Sequence, residues 1–437
     1  MTRECYAIIG GTLWGNRGAE AMVTTTMARV RDHRPDARFL VLSYYPDRDR
    51  ILLDSPHAAI ASATPMHQLL VQAPWALLCW AARKIGLRWP DRLLPPSVRD
   101  LRACTAQLDV SGISFHDNRP GALIYNVFCV WPAILHGVPV VHLSQARGPF
   151  QTSLNRQLSK RFLGACRYVF ARGRATAAHI ETLGLPADRW RIAADIAFGF
   201  RAGDSVTDEG PDRIRGALER LRATRAAGRE IVGLSPSAVV LGKTRTAGID
   251  YIGLLARALL HLRASGYHVV VLPNATRAGV DALRNNDLPV IAKLRREVER
   301  LAPDAIEANT TWIEQDINTD AIRALIEPCK LLITSRFHAM VAGLSLGVPV
   351  FVVGWSHKYG EVLEMFGCQD DAVDFAQLDT TLLPAIDRTL ALDADRRARI
   401  AAARNEVEAS SASQFDALAT LLRLPTSPRG AEAQQPQ

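Results

Sequence analysis

Lysine is scarce in this sequence: six in 437 residues, against 46 arginines. A lysine-rich solvating surface is therefore excluded, and Lys243 and Lys358 stand out as positions to explain. Cysteine is sparse too. The seven lie at positions 5, 79, 104, 129, 166, 329 and 368, an odd number with no CxxC pair. That excludes a disulfide framework and a structural zinc site as organising devices, and no metal is expected. No basic tract is interleaved with aromatics, so nucleic acid is not an expected partner. No apolar run is long enough to cross a bilayer. The apolar part of the unusual segment 66–92, Leu69 to Ala82, has 14 residues with Gln72 and Pro74 inside it, and a spanning helix needs roughly 20. The N-terminus, MTRECYAIIGG, passes straight into a strand-like run without the apolar core or cleavage site of a signal peptide. A reduced, cytoplasmic location is the expectation. Two standard nucleotide loops are also missing. Gly10 and Gly15 have P-loop spacing, but Asn16-Arg17 stands where Lys-Ser/Thr is required, and there is no GxGxxG.

What is present is a chain too long for one ordinary core, 48% hydrophobic and 22% charged, with net charge +8 and pI near 9.3. That predicts two domains and a preference for anionic ligands or surfaces. Apolar runs alternate with helical segments. Strands are expected at Tyr6–Ile9, Arg38–Ser43, Leu108–Ile113, Val138–Leu143, Tyr168–Phe170 and Ile192–Phe198, then again at Ile231–Ser235, His268–Leu272, Leu331–Ile333 and Val350–Val353. The alternation implies parallel sheets with helices on both faces. The expected division is an N-terminal α/β domain at 1–203, a connection at 204–229, a C-terminal α/β domain at 230–392, C-terminal helices at 393–424 and a disordered tail at 425–437.

The C-terminal domain carries the most informative stretch, LLITSRFHAMVAGLSLGVPVFVV from Leu331 to Val353. It reads as strand, polar loop, helix, strand, with Gly347 stopping the helix. In an open α/β sheet, ligands sit beyond the carboxyl ends of strands. One such loop holds Arg336 and His338, and the next holds His357 and Lys358. Together they suit an acidic ligand and proton transfer. The plain alternative for His338 is a histidine that only hydrogen-bonds its loop. The N-terminal glycine-rich loop offers Asn16 and Arg17, followed by Glu20, which either meets an acceptor hydroxyl, as partner or base, or simply complements a helix N-terminus. Arg147, Arg172 and Arg174 sit at strand exits, where they line a cleft or pair with acidic neighbours. Residues 66–92 combine Trp75, Trp80 and Trp89 with Arg83, Lys84, Arg88 and Arg92. The first reading is a helical flap packed on its own domain; the alternative is a segment lying on the inner face of a membrane.

These motifs resemble those of the polysaccharide pyruvyl transferases. The resemblance rests on Gly15-Asn16-Arg17-Gly18-Ala19-Glu20-Ala21, on Gln145 to Phe150, on Arg172 with Asp195-Ile196-Ala197-Phe198, and most specifically on Thr334 to Val350 with Lys358 downstream. It spans about residues 6 to 368. Two places depart from the family pattern. Ser111-Gly112-Ile113-Ser114 replaces a run of glycines, and Gly173-Arg174-Ala175-Thr176 follows Arg172 where an Asp and then a Ser are usual. The resemblance implies a GT-B-like fold of two Rossmann-like domains with the active site between them. It implies phosphoenolpyruvate as donor, no further cofactor, and a glycan acceptor, free or lipid-linked. On this reading Arg336 and Lys358 grip the donor, and His338 is the acid or base. A GT-B glycosyltransferase using a nucleotide sugar, and a non-catalytic sugar-binding relative, are the alternatives.

Overall fold

A computed structural model describes residues 4–117, 120–277, 285–303, 309–354, 357–374 and 377–422, without the side chains of residues 354, 357, 358 and 379. The expected tail at 425–437 and the side chains of His357 and Lys358 thus lie outside the described residues. The chain forms two compact units. One comprises Met1–Leu13, Ala21–Val206 and Ala409–Gln437; the other comprises Trp14–Glu20 and Thr207–Glu408.

The first unit holds a seven-stranded parallel sheet. Its strands are β1 (Cys5–Ile9), β2 (Arg38–Ser43), β3 (Ala58–Ser62), β4 (Ala106–Asp109), β5 (Val140–Gln145), β6 (Tyr168–Arg172) and β7 (Trp190–Ala193), ordered β3-β2-β1-β4-β5-β6-β7. The second unit holds six: β8 (Ile231–Ser235), β9 (His268–Val271), β10 (Thr310–Trp312), β11 (Leu331–Thr334), β12 (Val350–Gly354) and β13 (Ala372–Asp374), ordered β10-β9-β8-β11-β12-β13. Both sheets run three strands one way from the first and then restart on its other side. That is the doubly wound order, whose switch point opens a crevice at the strand carboxyl ends. The switch points lie between β1 and β4, and between β8 and β11.

Central strands are apolar on both faces because helices cover both. Tyr6 to Ile9 are at most 1% exposed, and β8 and β11 are buried throughout. Each sheet has its own core. Ile9, Leu42, Val130, Val140 and Val169 contribute to the first, and Leu234, Leu259, Val271, Ile333 and Phe351 to the second. Strands β3, β10 and β13 were not expected from the sequence. They read AAIAS, TTW and AVD, too short or too weakly apolar to register, and each closes an edge of its sheet. Ile192–Phe198 also differs. The strand ends at Ala193, and Asp195 caps a 3₁₀ turn at Ile196–Gly199, its carboxylate accepting the Ala197 N–H at 3.0 Å.

The segment from 65 to 84 is helical, with a π turn at Gln68–Gln72 leading into Ala73–Lys84. Among the described residues no helix is long and apolar enough to cross a membrane. The C-terminal helical expectation is met by one helix, Asp393–Leu421.

Acid should loosen both sheets. Burial pushes the imidazoles of His142 in β5 and His268 in β9 down to about 4, and that of His136 likewise. The unfolded chain takes up protons near pH 6.5 that the folded chain refuses. Stability is therefore full above that pH and falls as pH drops towards 4, by up to about 1.4 kcal/mol per pH unit for each such histidine. The urea midpoint should decline steadily from pH 7 to pH 5. An unchanged midpoint would mean that these rings are not held neutral.

Candidate functional site

The loop after β11 is fixed before any ligand arrives. Ser335 N–H extends the β8 ladder to Ser235 O at 3.1 Å, and Thr334 Oγ1 accepts the Arg336 N–H at 3.0 Å. Arg336 is then the extended residue that caps the helix Phe337–Ser345. Tyr251 joins in: its hydroxyl lies 2.9 Å from Ser335 Oγ and accepts the Ser237 N–H at 3.1 Å. Tyr359 donates to Ser335 O at 3.2 Å.

Arg336 does not stand open as a grip for an anion. Its Nε lies 2.9 and 3.1 Å from the two oxygens of Asp287, and its Nη2 donates to the same carboxylate. Asp287 is fully buried and also accepts the N–H groups of Ala238, Asn274 and Ala275 at 2.8 to 3.2 Å. One carboxylate thus ties together the exits of β8, β9 and β11. The guanidinium edge best suited to a carboxylate or phosphate is spent on this tie, leaving chiefly Nη1.

The N-terminal loop Trp14–Glu20 belongs to the same unit. Asn16 Oδ1 accepts the Gly18 N–H at 3.1 Å, and Arg17 N–H donates to Asn274 O at 3.2 Å. Gly18 lies directly against His338: a β-carbon there would fall 1.9 Å from the imidazole Nδ1. The two sequence motifs, GNRGAEA and TSRFHA, therefore meet through these residues. His338 is half-buried in the first turn of Phe337–Ser345 and packs on the first turn of the helix Arg17–His33. First turns carry partial positive charge, which favours an anion, although the Arg17 and Gly18 N–H groups are already taken by Asn274 O and Asn16 Oδ1. The ring also lies edge-on to Phe337, with centroids 5.1 Å apart.

Glu20 is fully buried. Its carboxylate takes Arg17 Nη1 at 2.9 Å, the Thr207 hydroxyl at 3.3 Å and the Thr319 N–H at 3.4 Å. Arg17, 1% exposed, also reaches Glu209 at 3.3 Å, and burial pushes the Glu209 carboxyl above its usual range. With no opening to solvent, Glu20 is a structural carboxylate here rather than a base in reach of a sugar. The reason is the buried arginine, whose charge must be matched where water is excluded.

In the first unit the motif residues gather at the β1/β4 switch point and beyond. Gln145 Nε2 donates to Asp109 Oδ1 and to Asp109 O, both at 2.8 Å, and Ser114 Oγ donates to Gln145 Oε1 at 2.6 Å. Gly10, at φ +87°, leaves room for this network; a β-carbon there would fall 2.1 Å from Ser111 Oγ. Arg147 is 2% exposed and donates from Nη1 to Phe170 O at 2.9 Å, while its Nε and Nη2 are buried with no hydrogen-bond partner among the described residues. Burial lowers this guanidinium to about 10, so it stays charged at neutral pH. Arg172 is spent on Asp195 at 2.7 Å, both buried, whereas Arg174 is exposed.

Sequence reasoning missed Asp287, Tyr251 and Ser237. Tyr251 reads there as an ordinary helix start, and Asp287 follows no strand at all. It also missed Arg277, whose guanidinium stacks on Trp14 at 5.0 Å and closes on Gly15. His357 and Lys358 open the helix His357–Met365, and their side chains are outside the described residues.

Solved structures share this architecture. A putative UDP-N-acetylglucosamine 2-epimerase from Listeria monocytogenes is 12% identical with a TM-score of 0.57, covering 98% of this chain and 99% of that one. The S. aureus MnaA–UDP structure is 11% identical with a TM-score of 0.56, covering 97% and 98%. A UDP-forming trehalose-phosphate synthase from Burkholderia xenovorans is 13% identical with a TM-score of 0.54, covering 97% and 99%. At such identities the likeness is one of fold, and that fold is GT-B-like. A family model for polysaccharide pyruvyl transferase matches residues 16–357, from the loop that packs on His338 to the helix after β12. The chain belongs to the polysaccharide pyruvyl transferase family.

Proposed function

We propose that the chain moves the pyruvyl group of phosphoenolpyruvate onto two hydroxyls of a sugar in a polysaccharide or its precursor, as a ketal. The observation that carries this reading is His338, half-exposed where the first turns of two helices meet, each donated by a family motif. The chemistry asks for little else. C3 of the enol takes a proton and becomes a methyl group. The two sugar oxygens bond to C2, and the C2–O bond to phosphate breaks. Of the two hydroxyl protons, the balance sends one to carbon and one to phosphate. A histidine can carry one of these transfers. Helix first turns and the remaining Arg336 edge favour the donor's anionic groups. Lys358 is proposed as the phosphate partner, on the strength of the family motif. No metal enters the scheme.

A nucleotide sugar is the second reading, because fold neighbours such as the S. aureus MnaA structure hold UDP. One experiment separates the two. The chain is incubated with phosphoenolpyruvate or with UDP-sugars, melting is followed, and candidate glycans are examined by mass spectrometry. The proposal expects stabilisation by phosphoenolpyruvate, phosphate release and a glycan heavier by one pyruvyl ketal. Stabilisation by UDP-sugars alone, with no phosphate released from phosphoenolpyruvate, would overturn it.

A further inference from the structure

The helical segment that begins at Pro65 is turned the wrong way for water. Gln68 and Gln72 point inward, 2% and 0% exposed, in line with buried Ala76 and Cys79. The opposite face shows Met66, Leu69, Leu70, Leu77, Leu78 and Ile85, each 43–73% exposed. Spacings of three and four put these side chains on one stripe. A surface helix normally places glutamines outward and leucines inward, so the inversion asks for an apolar partner. The segment is also anchored. Arg83 donates to Leu135 O at 2.7 Å and His136 O at 3.0 Å, and Trp75 packs edge-on against Trp89 at 5.8 Å. The stripe is therefore a fixed face.

From the structure we infer that this face docks on an anionic phospholipid surface. The charge around it names that partner. Between Met66 and Leu93 there are four basic residues and one acidic, Asp91, which is paired with Arg102 at 3.2 Å. Lys84, Arg88 and Arg92 are exposed beside the stripe. Trp80 and Trp89 are about one-third exposed at its border, and indole favours the boundary between headgroups and acyl chains. A second copy of the chain fits less well, because a two-fold contact would set these cations against their own images. Crossing the bilayer is ruled out for this segment by length: Ala73–Lys84 has 12 residues. It lies on the surface, apolar stripe down, with basic residues at the phosphates. The inference does not depend on which donor the enzyme uses.

The test is sedimentation of the full chain with vesicles of phosphatidylcholine, with and without phosphatidylglycerol. The chain should pellet with the anionic vesicles and be released as salt rises, since a polybasic contribution fades beyond the Debye length. Lys84→Gln with Arg88→Gln and Arg92→Gln should weaken binding about 100-fold, at roughly fivefold per basic residue. Leu70→Glu with Leu78→Glu should abolish it while leaving the melting temperature unchanged, because both side chains are exposed. Wild-type protein that stays in the supernatant at low salt would overturn the inference. So would binding that neither set of substitutions weakens. Light scattering supplies a third arm: a wild-type dimer split by the leucine substitutions would assign the face to a second copy instead.

Discussion

Replacing His338 with glutamine is expected to slow pyruvyl transfer by about 10²–10⁴-fold, the usual contribution of one positioned acid or base. Phosphoenolpyruvate binding should change little if, as proposed, it rests on cations rather than on the ring. A second substitution probes the same histidine from the other side. Gly18→Ala puts a methyl group where the imidazole now lies, 1.9 Å from Nδ1. The ring would have to rotate away. Displacing the ring costs about 1–3 kcal/mol of stability, so the variant should still fold while turnover falls. A glutamine variant that folds, binds donor and turns over at near-normal rate would end the assignment. A Gly18→Ala variant with unchanged turnover would show that the ring's placement does not matter.

The largest loss of stability is expected at Asp287. Its carboxylate meets Arg336 along two nitrogens and three N–H groups from two other loops, with no exposure to water. Asp287→Ala leaves a half-buried guanidinium and three buried N–H groups without their acceptor. Removing one partner of a buried ion pair costs about 3–5 kcal/mol. For a unit of this size that lowers the melting temperature by about 6–20 °C. Thermal melts of Asp287→Ala, Arg336→Ala and the double variant measure it. The double variant should lose less than the sum of the two, because each single change already breaks the shared pair. Strict additivity, or a loss for Asp287→Ala below about 1 kcal/mol, would mean that the loops hold themselves without this tie.

The parts legible in the sequence share a physical reason. Strands such as Ile231–Ser235 and Leu331–Thr334 are buried on both faces, so their apolar runs are continuous and their ends sharp. The glycine-rich loop and the Arg336–His338 loop announce themselves by residue types that ordinary turns do not need. The edge strands β3, β10 and β13 stayed hidden because an edge buries less and pairs on one side only. The site was half legible for a similar reason. Residue type alone offered Arg336 to a ligand and Glu20 to an acceptor. Asp287, which holds Arg336 from 49 residues away, and Thr207 and Thr319, which meet Glu20 beside the nearby Arg17, come from pairings that no local pattern encodes. The packing of Gly18 on His338 was likewise invisible, although both residues lay inside motifs already singled out.

The two compact units do not divide at a single point in the chain. A gene cut before Thr207 would yield a C-terminal fragment without Trp14–Glu20. That fragment would expose Glu209 and Thr319 where Arg17 and Glu20 now sit, and His338 would lose the glycine it rests on. The N-terminal fragment would lack the stretch from Ala409 onward, including Gln414, whose side chain bonds Ser144 N–H at 2.7 Å and Ala194 O at 2.9 Å. Neither half is a free-standing module. Recombination between relatives would have to exchange Trp14–Glu20 together with Thr207–Glu408, and crystallisation trials on isolated halves should carry the missing segment as a linked or added peptide.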